Sequence, residues 1–162
     1  MKALDMGDPT SGLIEQVDLI IKQALKLDKT RTGGYFCLAD RSGMPLLIVA
    51  VGEVADNEKA VRYFVNAQEK CRRLTKSNTW LASDTRDTEN GKYGGAMKGH
   101  DYIYGFSGLP EDLDEAAMII LCANRHDLPI LITAEALAEK SQNQFFSKLR
   151  FEVRRAMNLT SD

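Results

Sequence analysis

The chain has 162 residues, 44% of them apolar and 27% charged, with a formal net charge of −2. These proportions describe a globular protein rather than a disordered one, at a length that fits one domain. A near-neutral, slightly acidic balance gives no electrostatic footprint for nucleic acid or an anionic membrane. No apolar run approaches the roughly 18 residues that a membrane span needs. Residues 1–11 lack the basic start and apolar stretch of a signal peptide, so the expected location is cytoplasmic.

The first element is a helix. Leu13, Ile14, Val17, Ile20, Ile21, Ala24 and Leu27 recur at spacings of three and four, with Ser11 as the expected N-cap. Thr32-Gly33-Gly34 breaks the pattern. Tyr35–Ala39 and Leu46–Val51 then read as two strands of a hairpin, turning through Asp40-Arg41-Ser42-Gly43. The second strand is apolar on both faces, which predicts a central place in the sheet.

A second helix carries Ala60, Val61, Phe64, Val65, Cys71 and Leu74 as its expected buried stripe. Lys70, Arg72, Arg73 and Lys76 fall on the opposite face, which reads as solvated. The stretch 78–92 is irregular and polar, with Trp80 expected to start a strand or plug a core edge. Tyr93–Met97 and Tyr102–Phe106 form a second hairpin around Lys98-Gly99-His100-Asp101. Pro110 suits the first position of a third helix, with Leu113, Ala116, Ala117, Ile120 and Leu121 as its buried stripe.

A short apolar run, Ile130–Ile132, precedes a helical tail striped by Phe145, Leu149, Val153 and Ala156. The expectation is an α+β fold: an antiparallel sheet flanked by helices, with a C-terminal helical tail. It divides into an N-terminal segment (1–11), a core (12–129) and a C-terminal extension (130–162).

Chemistry is sparse. Cys37, Cys71 and Cys122 occur without a CxxC, and each reads as a reduced core thiol. His100 and His126 are the two histidines; neither belongs to a zinc pattern. No GxSxG, Walker loop or dinucleotide fingerprint occurs. The doublet Gly94-Gly95 reads as a bulge, a tight helix–sheet contact or a ligand approach. Glu111, Asp112, Asp114 and Glu115 crowd one helix start. They suit the helix dipole or a paired-carboxylate site, and they disfavour a phosphate there.

Three stretches together resemble the GlcG/HbpS-type family. The most distinctive is Gly105-Phe106-Ser107-Gly108-Leu109-Pro110-Glu111-Asp112-Leu113-Asp114-Glu115-Ala116, which follows Gly94-Gly95-Ala96 and the Lys-Gly-His-Asp turn. Upstream, Leu38-Ala39-Asp40-Arg41-Ser42-Gly43 and the pair Ala67 and Lys70 also match. The resemblance spans about residues 12–127. It implies a profilin-like α-β-α fold, homo-oligomers and, for some members, haem binding. Haem requires an axial ligand, and His100 on its turn is the best local candidate.

The leading expectation is therefore a small-molecule or cofactor-binding homo-oligomer. Its site would include Lys70, Gly94, Gly95, Ser107, Gly108, Asp114 and Glu115. A scaffolding oligomer without catalysis is the alternative. An enzyme using Asp114 and Glu115 ranks last, since no nucleophile–base pair accompanies them.

Overall fold

The computed structural model describes residues 10–54 and 57–159. Residues 1–9 of the expected N-terminal segment therefore lie outside the described residues. The elements are α1 (Leu13–Leu27), β1 (Gly33–Asp40), β2 (Pro45–Gly52), α2 (Asn57–Thr75), β3 (Ala96–Lys98), β4 (Tyr102–Ser107), α3 (Glu111–Asn124), α4 (Ala134–Lys140) and α5 (Phe146–Leu159). Two 3-10 turns, Ala82–Thr85 and Thr88–Asn90, lie between α2 and β3.

The four strands form one antiparallel sheet in the order β2-β1-β4-β3. Alternation along the strands separates two cores. Phe36, Leu38, Tyr104 and Phe106 point to the side of α1, α3 and α5. Cys37, Ala39 and Ile103 point to α2, against Ala67, Cys71 and Leu74. The α2 side is built from small residues, so the helix sits close to the sheet. A Cβ at Gly105 would stand 2.6 Å from Cys71 Sγ and 2.8 Å from the Ala67 carbonyl oxygen. The expected α+β architecture is thus present, and its layering is compatible with the profilin-like arrangement.

α3 is the central helix, with every residue from Leu113 to Cys122 buried between the sheet and the surrounding helices. The C-terminal tail packs on the domain itself. Phe146, Leu149 and Val153 of α5 enter the larger core, against α1 and α3. All three cysteines are free and buried, as expected.

Four local expectations are corrected. β2 lies at the sheet edge rather than the centre, because β1 and β4 pair with each other and take the middle. Its Leu46 is 48% exposed. α2 is rotated relative to the expected stripe. Val61, Phe64 and Val65 are exposed, whereas Lys70 is buried beside Ala67 and Cys71. Charge alone placed Lys70 on the solvated face, but a lysine with fixed partners can be buried.

β3 begins at Ala96, three residues later than expected. Upstream the backbone is spent on side chains: Arg73 donates to the Tyr93 carbonyl, and Gly94 N–H donates to Glu111. The cap of α1 is Gly12, in the left-handed region, rather than Ser11.

Candidate functional site

The hairpin and α3 converge on one end of the sheet. Pairing of Tyr35 with Ser107 puts the last residue of β4 beside the start of β1. The chain then turns through Gly108 into α3. At Gly108 φ is +153°, and an added Cβ would stand 2.4 Å from the Gly33 carbonyl oxygen. Glycine is needed there so that two backbone segments can cross.

Above this crossing, Lys70 of α2 meets Asp114 of α3. Lys70 Nζ lies 3.1 Å from Asp114 Oδ2 and donates at 2.8 Å to the Phe106 carbonyl. Asp114 Oδ1 accepts from Leu109 N–H at 2.9 Å. One carboxylate therefore pins the backbone that leads into α3 and balances a buried ammonium. Burial raises the Asp114 carboxyl to about 7, with Lys70 and the Leu109 N–H pulling it down.

Gly95 makes this contact possible. Its φ is +113°, and a Cβ would meet Lys70 Nζ at 2.7 Å and Asp114 Cβ at 2.8 Å. Of the readings left open for the glycine doublet, a tight helix–sheet contact is the one observed.

Glu115 faces another direction. It accepts from Ser83 Oγ at 2.6 Å, Ser83 N–H at 3.0 Å and Gly95 N–H at 3.2 Å. Burial raises its carboxyl, opposed first by the Ser83 hydroxyl. Glu111 accepts from Gly94 N–H at 2.7 Å and pairs with Arg86 Nε at 2.9 Å. The acids crowding the helix start are thus divided among separate partners. Glu115 and Glu111 hold the irregular segment before β3 against α3.

A pocket of about 400 Å³ opens beside the Lys70–Asp114 pair. Ser107 and Pro110 line it from the β4–α3 connection, and Arg62 and Asn66 from α2. Arg31, from the loop after α1, and Tyr93 complete the wall. Of the expected site residues, Lys70, Ser107 and Asp114 line the pocket. Gly95 abuts Lys70 and Gly94 is held by Glu111. Gly108 lines a smaller neighbouring pocket of about 170 Å³. Glu115 is structural support.

Arg31, Arg62, Asn66 and Tyr93 were not foreseen. The i, i+4 spacing of Arg62, Asn66 and Lys70 along α2 was the available signal. Arg31 and Tyr93 lie in irregular segments, where no periodicity marks them.

His100 lies at the far end of β4. It is exposed on the hairpin turn, in an open dent of about 300 Å³ with Arg41, Trp80, Pro129 and Ile130. The turn is held by Asp127, whose carboxylate accepts from Asp101 N–H at 2.7 Å, Tyr102 N–H at 3.1 Å and Tyr104 Oη at 2.8 Å. Among the described residues no group of three or more His, Cys, Asp or Glu side chains is placed to hold a metal, and no helix is long and apolar enough to cross a membrane. Compared with family models, curated proteins and solved structures, the chain matches none of them.

Proposed function

We propose that this chain is a small-molecule-binding module of the GlcG/HbpS type that works as a cytoplasmic homo-oligomer. The observation that carries the reading is the pocket beside the buried Lys70–Asp114 pair. Its volume falls within the range of small-molecule sites. A desolvated, mutually satisfied ion pair gives it a floor that does not rearrange when a ligand enters.

Binding is favoured over catalysis because Asp114 and Glu115 hold separate partners and face no shared reacting position. A nucleophile beside a base is not among the groups lining the pocket.

Haem, the cofactor implied by the resemblance, fits less well. His100 has 58% of its side chain exposed, and its dent is open rather than a slot. Arg41, the cation lining that dent, already donates to the Gly99 and His100 carbonyls. Haem sites enclose the macrocycle and supply an axial ligand from within an apolar wall.

Assembly is supported by an apolar strip on the outer face of α2. Val61, Phe64 and Val65 are exposed at 63%, 39% and 54%. Contiguous exposed apolar patches mark association surfaces.

A thermal-shift screen of the full chain against small metabolites tests the binding reading. The expected result is a ligand that raises Tm in the natural chain but not in Asn66→Phe, which fills the pocket from α2. A ligand whose effect is the same in both chains, or a screen without any stabilising compound, would contradict it.

A further inference from the structure

We infer that the pocket selects a small organic oxyanion, a carboxylate or a phosphate ester, held by Arg31 and Arg62 with Ser107 and Asn66 as neutral hydrogen-bonding groups. This rests on the small-molecule reading above and specifies its ligand class.

The wall carries three cationic side chains, Arg31, Arg62 and Lys70, against two carboxylates, Glu111 and Asp114. Both carboxylates are already engaged. Glu111 is tied to Arg86 and Gly94, and Asp114 to Lys70 and the Leu109 N–H. Neither is left to attract a cationic ligand.

The two arginines are in the opposite condition. Arg31 donates through Nη1 to Tyr63 Oη at 3.0 Å, and Arg62 lies over the Tyr63 ring at 5.9 Å. Among the described residues neither has a carboxylate within ion-pair distance. A guanidinium offers five donors in a planar fork, and most of these ten are uncommitted.

The second observation is the Ser107 hydroxyl. Ser107 is 4% exposed and lines the pocket, yet its side chain makes no hydrogen bond among the described residues. The hydroxyl is not sealed off in the core: it is reached from the pocket, where water or a ligand can take it up. Asn66, half-buried on the same wall, is in the same position. The uncommitted polar groups are thus predominantly donors, and their formal charge is positive. An oxyanion supplies several acceptor lone pairs and the complementary charge.

The acids at the start of α3 disfavour an anion directly on that helix terminus. The oxyanion therefore belongs on the Arg31–Arg62 side, with the organic part toward Tyr93, which lines the pocket and is 41% exposed. The modest pocket volume limits that part to about one ring or a short chain.

The test is a ¹H–¹⁵N titration of the full chain at low salt with four probes that share a phenyl ring: benzoate, phenyl phosphate, benzylammonium and benzamide. Benzoate or phenyl phosphate is expected to shift the Gly95, Ser107 and Leu109 amides. The Arg31→Gln/Arg62→Gln chain is expected to weaken that binding by about tenfold or more. Which of the two anions binds more tightly separates the carboxylate from the phosphate source. Benzylammonium or benzamide shifting these amides as strongly as the anions would overturn the oxyanion class and leave the small-molecule reading standing. An anion effect unchanged in the double variant would also overturn it. No shift by any probe would overturn both.

Discussion

Lys70 Nζ and Asp114 Oδ2 lie 3.1 Å apart with side chains only 3% and 2% exposed, tying α2 to α3 over the end of β4. Breaking such a pair from one side leaves a buried charge without compensation. Lys70→Met is therefore expected to cost about 3–5 kcal/mol in urea denaturation. Lys70→Met combined with Asp114→Asn is expected to recover part of that loss, because the amide oxygen still accepts from Leu109 N–H. A double variant as unstable as Lys70→Met alone would show that the pair is not the source.

The glycine before β3 gives a sharper probe of the same contact. Gly91 and Gly95 both have positive φ, at 70° and 113°. A Cβ at Gly91 meets nothing within 4 Å, whereas one at Gly95 meets Lys70 and Asp114. Gly91→Ala is expected to cost about 1 kcal/mol from backbone strain. Gly95→Ala is expected to cost clearly more, because its φ lies further outside the range open to an L-residue and its Cβ would meet the buried pair.

Asp114 also gives the stability a pH dependence. Its carboxyl is raised from 3.8 to about 7, chiefly by burial. The folded chain then holds that proton over a window where the unfolded chain has released it. This contribution to stability is present below 3.8 and is lost as pH rises toward about 7. Asp28, Asp40 and Glu135 are shifted downward, each chiefly by a side-chain hydrogen bond, and act in the opposite sense. Denaturation across this range, compared with Asp114→Asn, isolates the contribution of this carboxyl. The variant is expected to lose less stability than the natural chain as pH rises.

At the opposite end of β4, Asp127 organises the hairpin that carries His100. Asp127→Ala leaves two backbone N–H groups and the Tyr104 hydroxyl without their acceptor. The expected cost is at least about 2 kcal/mol. Hydrogen exchange should show faster exchange at Asp101 and Tyr102 but unchanged protection around Lys70.

The tail and the apolar strip make different predictions about assembly. α5 contributes Leu149 and Val153 to the core, so truncation after Pro129 is expected to unfold the chain. Val61→Glu with Phe64→Glu leaves the core intact. By light scattering that variant is expected to have a lower mass than the natural chain, with unchanged circular dichroism. An unchanged mass would place the assembly surface elsewhere.

Periodicity revealed the fold where one face dominates, as in α1, with its buried Leu13, Val17, Ile20, Ile21 and Ala24. It misled on α2, where Val61 and Val65 are apolar but exposed and Lys70 is charged but buried. Pairwise satisfaction, not hydropathy, decides such positions. The same limit explains the site. Lys70, Ser107 and Asp114 were legible through the family-like motif. Arg31 and Tyr93 reach the pocket from irregular segments that only the folded chain brings together. The edge position of β2 was equally hidden, because an apolar strand looks the same whether a helix or another surface covers it.

Native mass spectrometry of the full chain, purified without added ligand, tests the central claim most directly, since it reads stoichiometry and bound small molecules together. The expected result is a homo-oligomer carrying a non-covalent small-molecule adduct, with the adduct absent from the Asn66→Phe chain. A monomer without an adduct, or an adduct retained unchanged by Asn66→Phe, would contradict a binding module built around Lys70 and Asp114.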